Sequence, residues 1–111
     1  MKSYQKDFNP TYQEEAPTID EVGEMIGFAV LEFGTNWCEH CIAAIPAVRQ
    51  AFSGKALPHI KVLDGKGKTL GRSFKVRLWP TLILLESGRE IARLVRPVHM
   101  DEVQEFLTLA Y

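Results

Sequence analysis

A chain of 111 residues is long enough for one domain with a hydrophobic core, and 46% hydrophobic with 24% charged residues is a globular composition. A formal net charge of −1 gives no electrostatic reason to expect nucleic acid or an anionic membrane as partner. Two cysteines exclude a disulfide-stapled mini-protein, Met1 to Tyr12 lack the apolar core of a signal peptide, and no stretch is long enough to span a bilayer. A single-domain cytoplasmic protein, monomeric and with no membrane association, is the expectation.

Residues 1–17 are polar, carry Pro10 and Pro17, and are expected to be loosely ordered, with a first strand around Tyr4–Phe8 as their candidate element. Thr18-Ile19-Asp20-Glu21 is a capping box that opens a short helix through Met25, with Gly27 as its stop. Phe28 to Phe33 is apolar on both faces and predicts a central strand. A second helix runs from the cysteine pair to Ser53, with Gly54 as stop. His59–Leu63 predicts the next strand, Asp64-Gly65-Lys66-Gly67 a turn, and 70–74 a short helical piece. Thr81–Glu86 and Glu90–Val95 flank Ser87-Gly88-Arg89 as a hairpin, and Val103, Phe106, Leu107 and Ala110 share one face of a last helix. This order predicts an α/β fold: a central mixed sheet of four to five strands with helices on both faces.

The two cysteines stand three residues apart, in Trp37-Cys38-Glu39-His40-Cys41, between the central strand and the second helix. A Cys pair at a helix start is the layout of a thiol–disulfide redox site. Unpaired N–H groups and the positive end of the helix dipole favour a thiolate there, and residues i and i+3 share a helix face. Cys41, Ile45, Val48 and Phe52 follow helical spacing, so Cys41 belongs to the stripe facing the core. Cys38 lies one turn earlier, at the helix entrance. A reachable, ionisable sulfur attacks and a sheltered one resolves the mixed disulfide, which makes Cys38 the nucleophile and Cys41 the resolver.

With these residues in view the chain resembles the thioredoxin-fold family, in particular the small bacterial thioredoxin-like proteins. Trp37 directly precedes the first cysteine, Pro46 lies five residues after Cys41, and Glu32 lies six residues before Cys38, where the family carries a buried acid. Trp79-Pro80-Thr81 matches the family's cis-proline segment. The resemblance spans roughly residues 28–110. It implies a three-layer thioredoxin-like domain that reduces or exchanges protein disulfides without a bound cofactor or metal. An upstream reductase or a small thiol would then supply electrons. A cis Pro80 would present backbone groups to an extended substrate strand, bringing its sulfur over Cys38. Glu32, if buried, should have a raised pKa and accept the proton of Cys41.

The chain also departs from the family pattern. Glu39-His40 replaces the usual Gly-Pro, and a His40 imidazolium beside Cys38 would favour the thiolate and a more oxidising disulfide, with Glu39 opposing it. Glu32 is one methylene longer than the family's Asp. The lysine that often partners that acid finds no match, Ile60 being nearest by spacing. Trp79 replaces a small aliphatic residue and Arg96 a glycine at the substrate groove, where they would narrow it and favour acidic partners or exclude bulky ones.

Competing readings are a non-catalytic interaction or chaperone-like module using the same groove, a glutathione-dependent relative, and a metal site built from Cys38, His40 and Cys41 with His59 or His99. The last lacks the second paired motif that zinc sites usually show, and the glutathione signature is missing before the last helix. His59 and His99 are otherwise expected to be ordinary surface or edge residues. A His40 imidazolium in that position predicts a reduction potential less negative than thioredoxin's, about −270 mV. A redox titration against glutathione checks it, and a value clearly below that figure shows that His40 does not make the disulfide more oxidising.

Overall fold

The computed structural model describes residues 8–110, so the strand expected around Tyr4–Phe8 lies almost wholly outside the described residues. Its first helix, α1 (Ile19–Gly23), begins where the capping box places it: Glu21 N–H donates to the Thr18 hydroxyl at 3.1 Å, and Thr18 N–H to the Glu21 carboxylate at 2.9 Å. It stops two residues short of Met25, whose N–H turns back to the Val22 carbonyl at 3.1 Å, and Gly27 then takes φ +80°.

The central position expected for Phe28–Phe33 is realised in strand β1 (Phe28–Gly34). It runs parallel to β2 (His59–Leu63) and antiparallel to β3 (Thr81–Glu86), which pairs in turn with β4 (Arg89–Val95), giving the order β2-β1-β3-β4. This is a mixed sheet, as expected. Alternation of side chains sorts the core into two layers. Val30, Leu82 and Leu84 face α2 (Glu39–Phe52) and α4 (Met100–Leu107), while Ala29, Leu31, Phe33, Ile83 and Leu85 face α1 and α3 (Thr69–Ser73). The result is three layers, helices on both sides of the sheet.

The details that differ from expectation have local causes. The hairpin turn is two residues rather than three, because Ser87 (φ +49°) and Gly88 (φ +79°) form a tight turn whose twist suits the strands, and Arg89 already pairs with Glu86. A Cβ at Gly88 would lie 2.4 Å from the Val22 carbonyl oxygen, so this turn also packs onto α1. In α2 the stripe is carried by Cys41, Ala44, Val48, Ala51 and Phe52, with Ile45 only half-buried. All four residues named for the last face are buried, and Glu102 caps that helix by accepting from the Val98 and His99 N–H groups at 2.9 and 3.0 Å.

Residues 9–13 are not loosely placed. Gln13 N–H donates to the Lys61 carbonyl at 3.0 Å and its own carbonyl accepts from Leu63 N–H at 2.9 Å, a single bridge that runs parallel to the free edge of β2. The Asn9 and Tyr12 N–H groups donate to the His59 and Asn36 side chains at 2.9 and 3.0 Å, and both residues are buried.

Candidate functional site

Cys38 is the N-cap of α2, half-buried, with extended backbone, and its sulfur accepts the Cys41 N–H at 3.4 Å. The first turn of the helix thus directs an otherwise unpaired donor, and the positive end of its dipole, at this sulfur. Cys41 sits one turn in and is 1% exposed, so the two free thiols differ in access as the helical spacing required. Burial pushes the Cys41 thiol up to about 12, aided by its hydrogen bond with Cys38, while the Thr35 backbone and the nearby Tyr12 hydroxyl pull it back. Pro46 lies inside α2 on its exposed side. Trp37 (70% exposed), Glu39 and His40 surround Cys38 at the surface.

Beneath Cys41 the β1 strand passes at Gly34, and glycine is required there by space. A Cβ would come within 2.6 Å of the Cys41 sulfur and 2.8 Å of the Tyr12 hydroxyl oxygen. Two residues back along the same face lies Glu32, 2% exposed. Its Oε2 accepts the Tyr12 hydroxyl, and its Oε1 lies 2.7 Å from His59 Nε2. Each carboxylate oxygen therefore has a partner inside the protein.

The His59 ring can be assigned from its surroundings. Nδ1 accepts the backbone N–H of Asn9 at 2.9 Å, so it carries no hydrogen, and Nε2 must be the donor toward Glu32. Phe52 stacks on the ring at 4.2 Å and the side chain is fully buried. His59 does lie on the edge strand β2, but the expectation of an ordinary surface or edge residue misses its complete burial and its engagement through both ring nitrogens.

A lysine partner for the acid does exist. Lys61, 2% exposed, is the residue paired with Glu32 across the parallel strands, one position beyond the Ile60 that spacing indicated. Its ammonium lies 4.1 Å over the Tyr12 ring and donates to the Pro10 carbonyl at 3.3 Å. Burial by itself pushes the Glu32 carboxyl up, but His59 above all, then the Lys61 charge and the Tyr12 hydrogen bond, outweigh it, so its pKa is held below the usual carboxylate range. The raised pKa expected for a buried Glu32 is corrected accordingly.

The residues expected to line a substrate groove form a second group. The Trp79–Pro80 peptide is cis, Pro80 and Thr81 are buried, and the Thr81 hydroxyl donates to the Leu78 carbonyl at 2.6 Å. Trp79 is pinned by its indole N–H to Asp64 at 2.9 Å. Arg96 takes φ +52°, a conformation that favours glycine, and turns back on the proline segment. Its backbone N–H donates to the Pro80 carbonyl at 2.8 Å and its Nε to the Trp79 carbonyl at 2.9 Å.

A free cysteine pair at the entrance of a helix that follows the central strand of such a sheet is the arrangement of thiol–disulfide exchange proteins. The family model for thioredoxin matches residues 19–109, and this chain belongs to the thioredoxin family. Thioredoxin 2 from Pseudomonas aeruginosa PAO1, solved in its reduced form, is 44% identical, with a TM-score of 0.83 over 93% of this chain and 96% of that one. Thioredoxin H-type from Fagopyrum esculentum is 28% identical over 87 residues, 76% of this chain and 71% of that protein. A thioredoxin mutant from Halobacterium salinarum shares the fold at 19% identity, with a TM-score of 0.73 over 97% of this chain and 96% of that one. The chain is a thiol–disulfide oxidoreductase.

Because Glu32 is depressed in the folded chain, its contribution to stability is present above the ordinary value of 4.5 and is lost as pH falls through the lower folded value. Glu32→Gln should lower stability at pH 7 by roughly 1–3 kcal/mol. It should also flatten the acid limb of stability below about pH 5, as read by urea denaturation from pH 7 to 3. An unchanged acid limb would contradict the depressed carboxyl.

Proposed function

We propose that this chain is a protein-disulfide reductase working by dithiol exchange, with Cys38 as nucleophile and Cys41 as resolving thiol. The observation that carries the reading is the asymmetry of the pair: one sulfur is reachable and faces a helix N-terminus, the other is sealed beneath it. In this scheme the Cys38 thiolate attacks a substrate disulfide and forms a mixed disulfide. Cys41 gives its proton toward Glu32, attacks the Cys38 sulfur and releases the reduced substrate. Trp37, Glu39 and His40 tune the exposed sulfur, and Trp79, Pro80, Thr81 and Arg96 form the wall where an extended substrate strand pairs. The Arg96 contacts to the Trp79 and Pro80 carbonyls support a role in fixing that wall.

The reading needs no bound cofactor. Its partners are protein disulfides on one side and an upstream reductase or a small thiol on the other. A single monomeric domain in the reducing cytoplasm suits this direction of exchange, and no helix among the described residues is long and apolar enough to cross a membrane. Cys41→Ser is expected to accumulate covalent substrate adducts in lysates and with insulin, whereas Cys38→Ser captures none. Trapping that persists in Cys38→Ser reverses the assignment of the two sulfurs. Absence of both trapping and insulin reduction, with a folded domain, turns the reading toward an interaction module.

A further inference from the structure

The N-terminal segment brings a phenol to the place where exchange needs a path for a proton. Tyr12 is 6% exposed, its hydroxyl donates to Glu32 Oε2, and the same hydroxyl lies with the Cys41 sulfur against Gly34. The missing side chain at Gly34 leaves the space in which hydroxyl and sulfur meet, since one Cβ there would press on both at 2.8 and 2.6 Å. The residue is held at its backbone: Tyr12 N–H donates to Asn36 Oδ1 at 3.0 Å, and Asn36 Nδ2 to the Tyr12 carbonyl at 3.3 Å. Asn36 belongs to the loop just before Cys38, so phenol and redox loop are fixed to each other. Tyr12 also lies ahead of residues 19–109, the span matched by the family model, so this contact is supplied by the chain's own N-terminal extension to that match.

We propose that the Tyr12 hydroxyl is a catalytic group that relays the proton from Cys41 to Glu32 while the mixed disulfide is resolved. The inference rests on the reductase reading above. In the step, the Cys41 S–H proton passes to the phenol oxygen as the phenol's own proton passes to Glu32 Oε2. The Cys41 thiolate attacks the Cys38 sulfur, the Cys38–Cys41 bond forms, and the bond from Cys38 to the substrate sulfur breaks. The substrate sulfur leaves with the electron pair as a thiolate. Two thiols are oxidised, one substrate disulfide is reduced, and the proton passes through Glu32 and on to solvent as the site reopens.

A hydroxyl suits the task because it donates and accepts at once. Burial, and then the adjacent Glu32 charge, keep the phenol neutral, so it passes a proton on instead of losing its own. The groups that face the Glu32 receiver are His59 and Lys61 from β2 and Tyr12 from the N-terminal segment, with Cys41 of α2 beyond the phenol and Arg49 adding its charge near Lys61. Of these, Tyr12 is the one that both donates to the carboxylate and lies with the Cys41 sulfur against Gly34.

The test is stopped-flow reduction of 5,5′-dithiobis(2-nitrobenzoate) by the reduced chain. The first thionitrobenzoate released reports Cys38 attack and the second reports Cys41. With an internal base the wild-type second release varies little between about pH 6 and 9. Tyr12→Phe should slow the second release relative to the first at pH 7 by at least about tenfold and make it climb with hydroxide. Glu32→Gln should do the same, and the double variant should be no slower than the slower single one, because both cut one relay. A wild-type ratio and pH profile in Tyr12→Phe, or effects that multiply in the double variant, overturn the relay. Should Tyr12→Phe not fold, the wild-type profile decides: a second release that rises about tenfold per pH unit across this range leaves no internal relay. A wild-type chain with no second release overturns the reductase reading and the relay with it, whereas the other adverse results remove the relay alone.

Discussion

An ionised carboxylate in the middle of a sheet is an expensive object, costing several kcal/mol when taken out of water without partners. The structure offsets that cost at Glu32 by bringing three partners together: His59 and Lys61 on β2, and Tyr12 on the N-terminal segment. Each partner is itself committed elsewhere. His59 is locked as a donor by the Asn9 N–H, Lys61 spans the Tyr12 ring to the Pro10 carbonyl, and Tyr12 is tied to Asn36. Loss of one member would leave others buried and unpaired, so the network acts as a unit. Its position is what gives it chemical meaning, since it lies directly under the sheltered sulfur.

The redox site is assembled around that buried charge by ordinary helix and strand physics. The entrance of α2 presents a backbone N–H to Cys38, and one further turn carries Cys41 into the core. Gly34 lets β1 pass close enough for that sulfur to meet the phenol. On the other side, the cis-proline segment is held by Asp64 through Trp79 and by Arg96 through two carbonyls. Rigid elements hold both groups of residues, the condition under which a preorganised site keeps its geometry.

Most of the fold was legible because its signals are local. The capping box, the apolar run of β1, the stripe of α2 and the Gly88 turn each announce themselves within a few residues, and the structure places elements close to where those signals fall. The cysteine pair was legible for the same reason. What escaped were contacts made across long sequence separations. A lone His59 has no local mark of burial, and its partners Glu32 and Asn9 lie 27 and 50 residues away. Tyr12 sits in a polar, proline-bounded stretch without periodicity, where nothing announces order. One signal was available: His59 and Lys61 alternate with Ile60 and Val62 in an apolar strand, so the polar pair had to share a face, and that face is the one Glu32 occupies. Charged residues within two adjacent apolar strands are a reason to pair them before seeking a match by spacing alone.

The carboxylate beneath Cys41 is ionised at rest because its partners, His59 first among them, outweigh its burial. Carbon-13 NMR of the Glu32 side-chain carboxyl in the reduced chain, followed against pH, reads that state. The expected shift is that of an ionised carboxylate at neutral pH, persisting through and below the ordinary value of 4.5. A carboxyl that takes up its proton at or above about pH 6 would contradict it.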